Sequence, residues 1–262
     1  MRRSRQSYYK ALSVQHKRSA DSEQLLKLVQ PIRQLMPRVG GRKLHFMLGE
    51  EFNQKAIKIG RDRFFRWLKD HDLLIHPKRM YVHTTQSNHR FWVHENLTDH
   101  ITLDRPNKLW VSDITYVRTL EGFCFLALIT DAFSRKIVGY DVSDSLELEG
   151  CRRALKHAVQ TASDISQLTH HSDRGIQYCS RPYTDFLHEQ GIRISMAAKG
   201  NCYENALAER VNGILKNEFN LDHIFKTKEL AMKAVHQSIY IYNQYRPHWA
   251  INLQTPQRRH AA

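Results

Sequence analysis

WVSDITYVRTLEGFCFLALITDAFSRKIVGYDV, residues 110–142, is the stretch on which the fold turns. Its runs Trp110 to Val117, Phe123 to Thr130 and Lys136 to Val142 are rich in β-branched and aromatic residues, and turn residues part them at Glu121-Gly122 and Ser134-Arg135. Strands joined by such short turns form an antiparallel meander. Beyond it the pattern predicts a helix from about Glu147 to Thr161, a strand at Gln167 to His171 and a helix at Tyr183 to Gln190. A strand at Ile192 to Met196 and helices at Tyr203 to Asn220 and Thr227 to Tyr245 complete the series, before a polar tail.

The order β-β-β-α-β-α-β-α predicts an α/β domain of the ribonuclease H-like kind, a mixed sheet with helices on its faces. Upstream of Pro106 the texture is helical instead, with Leu25, Leu28, Val29, Ile32 and Leu35 at helical spacing and Pro31 placed to kink or divide the run. After the Gly40-Gly41 turn come helical stretches at Arg42 to Leu48 and Gly60 to Leu74. The second mixes Phe64, Phe65, Trp67 and Leu68 with Arg61, Arg63 and Arg66. One side of such a helix can pack while the other meets phosphate. The expected organisation is a helical helix-turn-helix DNA-binding region over 1–75, a linker over 76–105, a catalytic core over 106–225, and a C-terminal helix and tail over 226–262.

Charge follows the same division. Residues 1–105 carry 21 Lys and Arg against 10 Asp and Glu, whereas residues 106–262 carry 19 against 16. A basic surplus gathered in one segment is the electrostatic footprint of a polyanion, and duplex DNA is the expected partner, met by Arg42, Lys43, Lys58, Arg61, Arg63 and Arg66. No apolar run approaches the roughly 18 residues that cross a bilayer, so no membrane partner is expected. Cys124, Cys151, Cys179 and Cys202 are far apart and contain no Cys-x-x-Cys pair, which speaks against a zinc knuckle or a disulfide framework and suits a reducing cytoplasm.

Three acids stand out by placement. Asp113 lies within the first strand, and Asp173 ends a later strand, where α/β proteins set reactive groups. On the helix from Tyr203, taking about 100° per residue, Val211, Ile214 and Leu215 share a side with Leu207. Asn205, Glu209, Asn212 and Lys216 fall on the opposite side. Three carboxylates from these positions would form the hard oxygen set that holds Mg²⁺, or Mn²⁺ in its place. Two such ions about 3.5–4 Å apart activate a nucleophilic oxygen and stabilise the leaving oxygen of a phosphoryl displacement.

The local sequences add a resemblance. Trp110-Val-Ser-Asp-Ile-Thr-Tyr116, His171-Ser-Asp-Arg-Gly-Ile-Gln-Tyr178 and Glu204-Asn-Ala-Leu-Ala-Glu-Arg-Val-Asn-Gly-Ile-Leu-Lys216 resemble the motifs of insertion-sequence transposases of the insertion sequence 3 group, relatives of retroviral integrases. The 35 residues between Asp173 and Glu209 match that family's spacing. Pro37-Arg38-Val39-Gly40-Gly41-Arg42-Lys43-Leu44 and Tyr242-Asn-Gln-Tyr-Arg-Pro-His248 resemble flanking segments of the same proteins.

The resemblance implies DNA strand cleavage and strand transfer with two Mg²⁺ ions held by Asp113, Asp173 and Glu209, with Lys216 on a phosphate and His171, Arg174, Asn205 and Asn212 in support. It further implies a homo-oligomer on DNA and an upstream subunit with its own helix-turn-helix and leucine zipper. A ribonuclease H-like nuclease that only cuts would share the acids. A non-catalytic DNA-binding module would share the basic segment.

Overall fold

The computed structural model describes residues 5–76, 92–198 and 206–262, with side chains left out at 7, 8, 10–20 and 100. The chain divides into two compact units, Met1–Lys78 and Arg79–Ala262.

In the first unit, α1 (Arg5–Leu35) is followed by α2 (Gly41–Met47), α3 (Gly49–Gln54) and α4 (Arg61–Asp70). Two features differ from expectation. α1 runs unbroken through Pro31, and it starts at Arg5, ahead of the apolar periodicity. A separate short helix, α3, follows Leu48, whose backbone both caps α2 and starts α3. Leu25, Val29, Met36, Val39, Leu44, Leu48, Phe52, Phe64 and Leu68 make the core of this unit. Arg33 closes it: its guanidinium donates to the carbonyls of Pro37, Val39 and Leu73, pinning the turn after α1 to the segment after α4. Gly41 allows the close approach of α4, because a Cβ there would stand 2.9 Å from the Phe65 ring.

The second unit is built on a five-stranded sheet in the order β3-β2-β1-β4-β5. β1 (Leu109–Thr119), β2 (Gly122–Asp131) and β3 (Ile137–Ser143) form the expected antiparallel meander. β4 (Thr169–Ser172) and β5 (Arg193–Met196) join on the other side of β1, running parallel to it. α5 (Leu148–Thr161) and α6 (Arg181–Glu189) cover one face, over a core that includes Trp110, Ile129, Leu155, Leu168, Tyr183 and Leu187. α7 (Ala206–Glu218) packs on β1 and β2 from the other face, where Ala208 meets Leu109, Val111 and Ala132. Period-two alternation along β1 therefore sends 109, 111 and 113 toward α7, and 110, 112 and 114 toward α5 and α6.

Two regions are more structured than the sequence suggests. Residues 92–105, expected as linker, pack on the sheet: Val93 and Ile101 join its two cores, the Met196 amide donates to the Glu95 carbonyl, and the Leu97 amide to Ser195 Oγ. The remaining linker residues 77–91 lie outside the described residues. In the tail after α8 (Lys228–Tyr245), a further helix α9 (Pro256–Ala261) starts from a Thr255 hydroxyl cap with Pro256 in its first turn. The Asn243 side chain bonds both the amide and the carbonyl of Ile137, clamping the end of α8 to the edge strand β3.

Among the described glycines, the one with least room for a side chain is Gly139 of β3. An added Cβ would run into the Ala154 carbonyl and the Ala158 side chain of α5, both on packed elements that cannot swing aside. Gly139→Ala is therefore expected to lower unfolding stability by roughly 2–4 kcal/mol through overpacking. A urea titration checks this, and a midpoint equal to wild type would contradict it.

Candidate active site

Backbone pairing places the two aspartates. The last register pair between β1 and β4 is Ser112 with Ser172, and Asp113 and Asp173 are each the next residue along parallel strands. Asp173 turns the chain, accepting the Gly175 amide at 2.9 Å. Asp113 accepts the Ile114 amide at 2.9 Å through Oδ1 and the Asn212 side-chain amide of α7 at 2.7 Å through Oδ2.

Both aspartates line one cavity of about 240 Å³, together with Ile114, Thr115, Tyr116, Phe125, Leu146 and the segment Gly175 to Tyr178. Burial pushes the Asp113 carboxyl up to about 7 from an ordinary 3.8, and the Asp173 charge adds to the push. The bonds from Asn212 and Ile114 oppose it, and the Glu209 charge adds a smaller upward push. A pair of acids whose charges repel inside a shielded cleft is an arrangement that a cation relieves.

The third acid stands apart from the first two. Glu209 is exposed on the first turn of α7 and is not part of the cavity lining, although its charge reaches Asp113. Among the described residues no group of three or more His, Cys, Asp or Glu is gathered closely enough to hold one metal ion. Asn205, on the residues leading into α7, lies outside the described residues.

The rest of the α7 face differs from the helical-wheel reading in a useful way. Asn212 is buried rather than merely polar-facing, and its Oδ1 has no partner among the described residues. Lys216 is half-buried with Nζ 4.4 Å from the centre of the Tyr116 ring, a cavity residue. Burial lowers the Lys216 pKa, while the Asp113 charge opposes the shift. The lysine is thus held over the site by an aromatic face.

The supporting residues in and just after β4 are anchors. Arg174 donates from Nε to the Ala197 carbonyl at 2.7 Å. His171 is fully buried, with Nδ1 2.8 Å from Ser195 Oγ. Its neighbour His170 bonds Ser112 and Tyr183 through Nε2, and burial, aided by His171, pushes its pKa down to about 3, so it is neutral. Cavity residues Thr115, Phe125, Leu146, Ile176 and Gln177 were not singled out from sequence. Ile176 and Gln177 sit within the Asp173 motif, but Leu146 carries no sequence signal.

On the first unit, Arg42, Lys58, Arg61, Arg63 and Arg66 are exposed. Lys43 is a correction: only 6% exposed, it shares the inward side of α2 with Leu44 and is turned away from the surface that a phosphate would meet.

Comparison with known proteins identifies the family. Residues 104–202 and 190–256 match two family models described as integrase core domain. Over 249 residues the chain is 36% identical to the insertion element IS600 uncharacterized 31 kDa protein of Shigella sonnei, covering 94% of this chain and 90% of that one. The chain belongs to the insertion-sequence transposases with an integrase catalytic core. Another member, the putative transposase for IS986/IS6110 of Mycobacterium tuberculosis, is 42% identical over 118 residues, 43% of this chain and 42% of that protein. The fold is shared with the simian T-cell lymphotropic virus intasome structure, at a TM-score of 0.51 and 17% identity, covering 88% of this chain and 74% of that one. As a transposase of this family the protein is a polynucleotidyl-transferase type enzyme acting on DNA.

Proposed function

We propose that Asp113, Asp173 and Glu209 are the acids with which this transposase cuts and joins DNA strands. The observation that carries the reading is the aspartate pair, adjacent in strand register and lining one cavity in which both burial and Asp173 hinder ionisation of Asp113. Such a pair fits divalent cations, and the unpartnered Asn212 Oδ1 beside it adds an oxygen of the right chemistry. Two Mg²⁺ ions, or Mn²⁺, would supply charge to activate a water or 3′ hydroxyl and to stabilise the leaving oxygen.

The protein's own residues do the rest. Asp113 and Asp173 are held by backbone pairing, and Asn212 orients Asp113. Glu209 completes the set when the start of α7 meets DNA. Lys216, poised over Tyr116, extends toward a phosphate of the bound strand. In the first unit Arg42, Lys58, Arg61, Arg63 and Arg66 meet duplex phosphates. The family resemblance supports a homo-oligomer on DNA, working with an upstream helix-turn-helix and zipper subunit.

The test is incubation of purified protein with Mg²⁺ and labelled duplexes carrying the element's ends. Cleaved and joined strands are both expected, and cutting without joining would leave only a nuclease. Lys216→Ala is expected to weaken end binding and lower joining. Equilibrium binding should fall with salt at a log–log slope near −0.9 per neutralised phosphate. Binding insensitive to salt would remove the role given to the first unit.

A further inference from the structure

We infer that the cavity beside the two aspartates is a binding site for a single unstacked nucleobase of the DNA strand being cut, an inference that rests on the proposed function. The lining of the cavity combines two chemistries. Asp113 and Asp173 supply the carboxylates, where a reacting phosphate belongs. Ile114, Tyr116, Phe125, Leu146 and Ile176 supply apolar surface unsuited to phosphate or metal.

Leu146 and Ile176 are 48% and 45% exposed, large apolar side chains left in water at an active site. Their loops are held together, because Gln177 donates its side-chain amide to the Leu146 carbonyl at 2.8 Å. Exposed apolar surface within a catalytic cleft marks a place for a ligand. The ligand must be connected to a phosphate at Asp113 and Asp173 and be flat and largely apolar on its face. A nucleobase attached through one sugar to that phosphate meets both conditions.

Size selects a base over a base pair. At about 240 Å³ the cavity is smaller than the roughly 300–1,000 Å³ of ordinary small-molecule sites. Enzymes that need access to a buried nucleotide draw its base out of the stack into such a pocket and hold it between aromatic and apolar side chains. The polar edges of the base would find Thr115 and the Gln177 side-chain oxygen Oε1, since its Nε2 already donates to Leu146. Occupying the pocket would fix one strand at the aspartates and leave the sequence at that position weakly specified, because every base has a stacking face.

The test couples the pocket to individual bases. Full-length wild type, Leu146→Ala and Ile176→Ala are each given end duplexes in which one nucleotide flanking the scissile phosphate is abasic. Equilibrium binding and cleavage are measured in parallel, and thermal denaturation confirms that these surface variants fold. At one flanking position the abasic duplex should bind wild type roughly tenfold more weakly. Each variant should lose a similar factor on the intact duplex and little further on the abasic one. Losses that multiply at every position, or no loss from any abasic site, would overturn the pocket. Cleavage without this coupling removes the pocket and leaves the transposase reading standing, whereas coupled binding without cleavage keeps the pocket and removes that reading.

Discussion

Asp113→Asn is expected to abolish strand cleavage and, in metal-free buffer above pH 7, to make the protein harder to unfold. The first effect follows from removing one charge of the proposed cation site, a loss of at least about a thousandfold in rate. The second follows from the raised Asp113 pKa, about 7 in the folded protein against an ordinary 3.8. Below pH 4 the carboxyl is protonated in both states, and its burial costs little. Between about 4 and 7 the folded state keeps a proton that the unfolded chain has lost, so stability falls as pH rises. Above 7 the folded state carries the whole cost of a half-buried, repelled carboxylate, on the order of 2–4 kcal/mol. Asparagine has the same shape and does not ionise; its single oxygen keeps the Asn212 bond while the Ile114 amide loses its acceptor, a cost of about 1 kcal/mol that is smaller than the charge penalty relieved. Melting curves in EDTA at pH 5 and pH 8.5 decide the matter. The variant should gain several degrees at pH 8.5 and much less at pH 5. An equal or lower melting temperature at pH 8.5 would show that Asp113 is not under the electrostatic pressure described.

Loss of Arg246 is the other large effect. Its guanidinium is 1% exposed and pairs both nitrogens Nε and Nη2 with the Glu218 carboxylate at 2.8 Å, tying the end of α8 to the end of α7. It also lies 5.6 Å from the centre of the Tyr242 ring. Removing one member leaves an uncompensated charge in the interior, which costs about 3–5 kcal/mol. For a domain of this size Arg246→Ala should lower the melting temperature by on the order of 10 °C. Lysine should rescue little, because it cannot reproduce the planar fork. Replacing Arg246 and Glu218 together by apolar residues should cost less than either single alanine change. A double variant as unstable as the sum of the singles would refute the pairing.

Much of the second unit was legible because each strand repeats one physical pattern. The near-continuous runs of β-branched, aromatic and other apolar residues in β1, β2 and β3 report a sheet covered on both faces, and the segments between them are too short for anything but hairpins. Asp113 and Asp173 were legible because both are acids placed where a strand meets the cavity. Asn212 was found on the correct helix face, but its burial was not, since a helical wheel gives direction without saying what lies opposite. Lys43 failed for the related reason that charge counts carry no direction on a seven-residue helix. α9 was hidden because its stability comes from outside itself: His260 reaches Ser134 and the buried Asp131, and Arg259 stacks on Phe133. The start of α1 has no apolar rhythm to announce it.

The shared register of Ser112 and Ser172 has a consequence for how this chain tolerates change. Strands in a sheet keep a spacing of about 4.8 Å dictated by peptide hydrogen bonds, whatever side chains surround them. The separation of Asp113 and Asp173 is therefore inherited from the backbone, and insertions in the α5 connection between β3 and β4 should leave it untouched. Glu209 has no such guarantee, because it is exposed on the first turn of a helix that is fixed to the sheet by side-chain packing and the Asn212 bond rather than by strand register. Two of the three acids are placed by the backbone and the third by side-chain packing. Sequence drift is therefore expected to spare the spacing of the two aspartates and to tell first on the packing that places the glutamate.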